Sequence, residues 1–158
     1  MNLADVVLRK LAPVLWWGQN VRWRLLRPTA LGVKVLLVRE GQVLLVRHTY
    51  LPGWHLPGGG VKRHEELSAA ARREATEEVG ATLNELRLFG AYSEPPGAKN
   101  GYVLVFVSGD FNLRPASSWE ITETRFFPLG DLPRGTDPAT RRRIEEFIAD
   151  GGPHTGRW

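Results

Sequence analysis

Gly58-Gly59-Gly60, then Glu65, then Arg73-Glu74-Ala75-Thr76-Glu77-Glu78-Val79-Gly80-Ala81 form the stretch on which the reading of this chain turns. Leu67, Ala71, Ala75 and Val79 recur at four-residue spacing, which predicts a helix over Glu65–Val79 with one apolar stripe for a core. Gly80 is expected to close it in the left-handed conformation that other residues avoid. Glu74, Glu77 and Glu78 lie three and four residues apart, so they share a face beside that stripe. Like charges at this spacing cost a helix roughly 0.2–0.5 kcal/mol per pair, so three on one turn call for a neutralising partner. A hard divalent cation, which prefers oxygen ligands, is the most direct one.

On the N-terminal side of the glycines, Ala30–Val38 and Gln42–His48 are rich in β-branched residues and leucine, with Glu40-Gly41 between them, and read as a hairpin. On the C-terminal side, Glu85–Tyr92, Tyr102–Ser108 and Thr122–Phe127 read as strands. Pro138–Ala149 reads as a last helix with Asp137 as N-cap, and its Arg141-Arg142-Arg143 run as a solvated face. Strands, helix, strands, helix is the order of an α+β domain with a mixed central sheet and helices packed on it.

The 158 residues suit one domain at 28–150, preceded by a 27-residue extension and followed by a tail over 151–158. A hydrophobic content of 42% and charged content of 24% exclude a disordered chain. With no cysteine there is no disulfide frame, zinc–thiolate site or thiol nucleophile, and a cytoplasmic setting is the default. A net charge of +4 suits an anionic small molecule and is too small to argue for nucleic acid. Within residues 1–27, Leu3, Val6, Val7, Leu11 and Leu15 alternate with basic residues as in an amphipathic helix. It is expected to pack on the domain or on a second copy in a homodimer. The alternative is a membrane surface, met by Trp16, Trp17 and Trp23.

The spacing from Gly59 over five residues to Glu65, then over seven to Arg73-Glu74 and on to Glu77-Glu78, resembles the signature of the Nudix hydrolases, in which Leu56-Pro57 and Phe126-Phe127-Pro128-Leu129 resemble the flanks. The resemblance covers Ala30 to Ala149. It departs in Ala75 and Ala81, smaller than usual at aliphatic positions, and in His64, where many members have glycine. It implies an α/β/α sandwich and hydrolysis of a nucleoside diphosphate linked to a further moiety.

The resemblance also implies roles for matched residues. Glu74, Glu77, Glu78 and the carbonyl of Gly58 are expected to hold Mg2+ or Mn2+, with Arg73 and Glu65 bracing the ligands. The base that activates water is Glu77 or Glu78, or a carboxylate on a distant loop, for which Glu120 and Glu123 qualify; Glu123 matches the family position better. Arg47, with His48 beside it, and Gly59 are candidates for phosphate, and Trp54, Tyr92 and Tyr102 for stacking on a base. Pro95-Pro96 stands near the distance at which ADP-ribose pyrophosphatases of the family carry a proline. ADP-ribose or a nucleoside diphosphate sugar is therefore the first expectation and a house-cleaning nucleoside triphosphate pyrophosphohydrolase the second. A non-catalytic nucleotide-sensing or membrane-peripheral module is the reading from another class, and the intact carboxylates argue against it.

Overall fold

The computed structural model describes residues 29–94, 101–116 and 118–158. The expected N-terminal helix, with Trp16, Trp17 and Trp23, and the Pro95-Pro96 pair lie outside the described residues.

Strands β1 (Ala30–Arg39) and β2 (Gln42–His48) form the expected hairpin, turning at Glu40 and Gly41, both at positive φ. Helix α1 runs Leu67–Val79 and ends at Gly80 with φ 68°. It starts later than expected because Glu66 stays extended before the first turn, where it caps without a side-chain bond. Strand β4 (Arg87–Ser93), β5 (Gly101–Ser108), β7 (Ile121–Pro128) and helix α2 (Pro138–Asp150) follow the sequence reading closely. Asp137 caps α2, its Oδ2 accepting from the Thr140 N–H at 2.8 Å, with proline next to it where a missing N–H costs nothing. Three short strands were not expected: β3 (Ala81–Leu83), β6 (Phe111–Leu113) and β8 (His154–Arg157). The last places half of the supposed tail, residues 154–157 of 151–158, within the sheet.

The main sheet has the order β7-β2-β1-β5-β4-β8 and is mixed; β1 and β5 run parallel in unbroken register from Ala30↔Gly101 to Leu37↔Ser108. β3 and β6 make a separate two-stranded sheet. One face of the main sheet buries Val33, Val35, Leu37, Leu44 and Val46 against Ala70, Ala71, Ala75 and Val79 of α1. Ala75 and Ala81 are fully buried there, so their small size brings α1 close to the sheet rather than loosening it. The other face buries Leu36, Val43, Leu45 and Phe89 against Ile144 and Phe147 of α2, giving the α/β/α sandwich. The arginine run on α2 departs from expectation in one member. Arg143 is buried, its guanidinium 3.8 Å from the Tyr92 ring centroid, donating to Glu146 at 2.7 Å and to the carbonyl of Arg157 at 3.0 Å.

Candidate active site

The glycine loop lies against β1, with Val33 N–H donating to the Gly59 carbonyl and Val35 N–H to that of Pro57, both at 2.9 Å. Gly58 has φ +134°, and a Cβ there would stand 2.2 Å from the Val33 carbonyl oxygen, so no side chain fits. A Cβ on Gly59 would stand 2.8 Å from both carboxylate oxygens of Glu74. That steric demand accounts for the second glycine without any phosphate.

One guanidinium organises the acidic face of α1. Arg73 grips Glu65 with two bonds, Nε to Oε1 at 2.7 Å and Nη2 to Oε2 at 2.9 Å. Its Nη1 donates to Glu74 at 2.6 Å and to Glu77 at 3.1 Å, and its Nη2 also reaches the Gly60 carbonyl at 3.0 Å. These bonds, with that from the Lys62 N–H, hold the Glu65 carboxyl down to about 2. Glu74 responds in the opposite direction, because burial raises its pKa more than Arg73 lowers it.

Glu78 is buried, its Oε2 accepting from the Gly58 N–H at 2.8 Å, and burial pushes its carboxyl up to about 7. Lys34 of β1 opposes that rise; its ammonium is itself lowered by burial and donates to the carbonyls of Leu56 at 3.0 Å and Gly58 at 2.7 Å. The Gly58 carbonyl, expected to face a metal, is thus already bonded to Lys34, and the group it shares with Glu78 is its N–H. Glu74, Glu77, Glu78, Ser118, Trp119 and Glu120 line a cleft of about 360 Å3. Tyr50 donates to Glu120 Oε2 at 2.9 Å in its wall. His48 is buried beside it, and burial with the charges of Lys34 and His55 draws its imidazole down to about 3, which keeps it neutral. Several carboxylates short of neutralising partners, with a neutral imidazole among them, suit a divalent cation held by oxygen and nitrogen.

A helix bearing three ordered carboxylates behind a glycine loop, packed on this mixed sheet, agrees with a family match over residues 28–149 to the NUDIX domain. The chain belongs to the NUDIX family. Membership makes it a pyrophosphohydrolase. The NUDIX domain is 32% identical over 117 residues to the Bacillus subtilis protein named "Putative 8-oxo-dGTP diphosphatase", covering 73% of this chain and 78% of that protein. It is 29% identical over 118 residues to the ADP-ribose pyrophosphatase of Methanocaldococcus jannaschii, covering 72% and 70%. Its backbone matches the crystal structure of a MutT NUDIX hydrolase from Burkholderia pseudomallei with a TM-score of 0.68 at 27% identity, over 75% of this chain and 97% of that one.

Within the NUDIX domain the signature residues come together as expected, and several others do not. Arg47, Trp54 and Glu123 lie on the face covered by α2, opposite the signature helix. Alternation along β2 sends Val43, Leu45 and Arg47 to that face and Leu44, Val46 and His48 to the α1 face. Arg47 stands 4.7 Å over the ring of Trp54 and 3.6 Å from Glu123, which Arg125 also approaches at 3.7 Å. Trp54 itself is buried and packs edge-on to Phe127, so it offers no face to a base. Tyr92 is likewise buried, donating to Glu146 at 2.8 Å, whereas Tyr102 stays exposed on β5. Glu120, the second of the distant carboxylates, is the one at the cleft. Lys34 and Trp119 were missed as site residues; His48, read with Arg47 as a phosphate contact, instead stands beside the carboxylates, and the period-two pattern of β2 held that signal because it sets His48 opposite Arg47.

Proposed function

We propose that this enzyme hydrolyses the diphosphate linkage of a nucleoside diphosphate derivative, ADP-ribose or another nucleoside diphosphate sugar, by attack of water on phosphorus with Mg2+ or Mn2+ bound. The observation that carries the reading is the convergence of Glu74, Glu77, Glu78 and Glu120 on one cleft. A divalent cation held there would offset charge on the diphosphate oxygens and make water easier to deprotonate. Glu74, Glu77 and Glu78 would hold it, with Arg73 aiming Glu74 and Glu77 and the Gly58 N–H holding Glu78. The proton of the attacking water goes to one of Glu77, Glu78 and Glu120, rather than to Glu123 on the far face. Trp119, in the cleft wall, takes the stacking role expected of Trp54. The setting is cytoplasmic.

The Bacillus subtilis relative favours a second reading, cleavage of a nucleoside triphosphate to the monophosphate and pyrophosphate. Both are tested by assaying ADP-ribose, nucleoside diphosphate sugars and 8-oxo-dGTP with Mg2+, and by repeating the assay on Glu77→Gln, Glu78→Gln and Glu120→Gln. Sugar phosphate among the products supports the first reading and pyrophosphate the second. The variant lacking the base stays inactive at saturating Mg2+, whereas a variant that lacks only a ligand regains kcat there. No turnover on any substrate, or full activity in both Glu77→Gln and Glu78→Gln, overturns the assignment.

A further inference from the structure

His48 closes β2 on the α1 face, more than nine-tenths buried, and its Nδ1 has no hydrogen-bond partner. A buried polar nitrogen without a partner costs roughly 1–3 kcal/mol, so it marks a place where something is meant to bind. One of its ring nitrogens and one carboxylate oxygen from each of Glu78 and Glu120 all lie within 4.8 Å of one another. Among the described residues, the Gly58 N–H donates to Glu78 and the Tyr50 hydroxyl to Glu120, through Oε2 in each case. Each therefore has a second oxygen to offer. The three residues come from β2, α1 and the approach to β7, elements fixed to one another by the sheet and its core.

We propose that His48, Glu78 and Glu120 hold a divalent transition-metal ion through one imidazole nitrogen and two carboxylate oxygens, beside the oxygen-only position of Glu74 and Glu77. Ligands about 2.1 Å from a tetrahedral ion stand about 3.4 Å apart, so atoms at the 4.8 Å bound close by about 1.4 Å as the ion binds. Oxygen-only sites suit Mg2+, whereas imidazole shifts preference toward Mn2+, Co2+ and Zn2+. The site therefore gives this enzyme a cation preference that the signature helix alone does not. Lys34 faces Glu78 from β1, but its ammonium is tethered to the carbonyls of Leu56 and Gly58, and His55 packs 5.6 Å from His48 ring to ring. The inference rests on the proposed hydrolase only for the choice of a divalent cation.

The test uses Mn2+ alone on the full metal-free chain and reads pulsed electron paramagnetic resonance, which detects nitrogen bound directly to manganese. The wild type is expected to show 14N modulation, and His48→Gln to lose it while still binding Mn2+ at the carboxylates. The ratio of Mn2+ to Mg2+ affinity is expected to fall about tenfold or more in that variant. His55→Gln is expected to keep the modulation. If His48→Gln does not fold by circular dichroism, Glu120→Gln serves instead and is expected to weaken or abolish the nitrogen signal. Bound Mn2+ without nitrogen modulation in the wild type, or modulation unchanged in either variant, overturns the site. Because no turnover is read, an active hydrolase lacking the nitrogen signal rejects this site alone, and nitrogen-bound Mn2+ in a protein that cleaves no substrate rejects the hydrolase reading alone.

Discussion

Alanine at Gly59 perturbs the carboxylate cluster and spares the fold. The new Cβ would lie 2.8 Å from both oxygens of Glu74, and ordinary contact begins at 3.4 Å, so the carboxylate must retreat by about 0.6 Å. It retreats against Arg73, which bonds it at 2.6 Å and is itself fixed by Glu65 and the Gly60 carbonyl. The atoms that move are the end of a side chain, and Gly59 is not among the residues at positive φ, so the loop keeps its course. Mg2+ demands near-octahedral geometry with bonds of about 2.0–2.1 Å, and a ligand displaced by this much no longer meets it. Disturbances of that kind cost about 10–100-fold in metal affinity or activity, equivalent to about 1.4–2.7 kcal/mol. Calorimetric titration with Mg2+ and steady-state kinetics should both show that loss, with the thermal midpoint within about 4 °C of wild type. Gly58→Ala is the contrast. Its Cβ would meet the Val33 carbonyl oxygen at 2.2 Å from a backbone held at φ +134°, and the fold itself should suffer. Unchanged Mg2+ affinity in Gly59→Ala, or a loss of stability matching that of Gly58→Ala, refutes the reasoning.

Arg73→Lys keeps the charge but not the fork that reaches Glu65, Glu74, Glu77 and Gly60 together, and Mg2+ affinity by calorimetry should fall about 10–100-fold. Glu78 titrates at about 7 in the folded metal-free protein against an ordinary 4.5, so the folded state binds more protons than the unfolded chain between those values. Stability without metal should therefore fall as pH rises from 4.5 to 7, by at most about 3 kcal/mol. Melts in chelator should show Glu78→Gln gaining on wild type at pH 8 and not at pH 4, and excess Mg2+ should erase most of the wild-type slope. Asp137→Ala removes the cap on α2 and should cost about 1 kcal/mol in urea denaturation.

Local signals carried the elements that were legible. Helix α1 announced itself through Leu67, Ala71, Ala75 and Val79, and its end through Gly80; α2 announced itself through Asp137-Pro138. The short strands β3 and β6 have three residues each, too few for alternation to register, and exist because each supplies the other's partner. The same division runs through the site. Arg73, Glu74, Glu77 and Glu78 sit on one helix, so spacing alone assembled them. Lys34, His48 and Glu120 meet Glu78 only after the sheet order β7-β2-β1 is set, and that order is a long-range property. Glu123 was preferred over Glu120 for its resemblance to a family position, and nothing local in the sequence showed the shift in register between β2 and β7, where Arg47 pairs with Glu123 but His48 with Ile121.

Strand β8 lies beyond the residues matched by the family and runs parallel to β4, from Gly90↔His154 to Ser93↔Arg157. An uncovered β4 would present a row of unsatisfied N–H and carbonyl groups, a template for pairing with other molecules. The final residue adds a clasp, since Trp158 packs 6.0 Å from Tyr92 ring to ring and its N–H donates to the Ser93 carbonyl at 2.9 Å. Shortening the protein to the matched domain would therefore leave the candidate carboxylates Glu74, Glu77, Glu78 and Glu120 in place and open the β4 edge to pairing with other molecules.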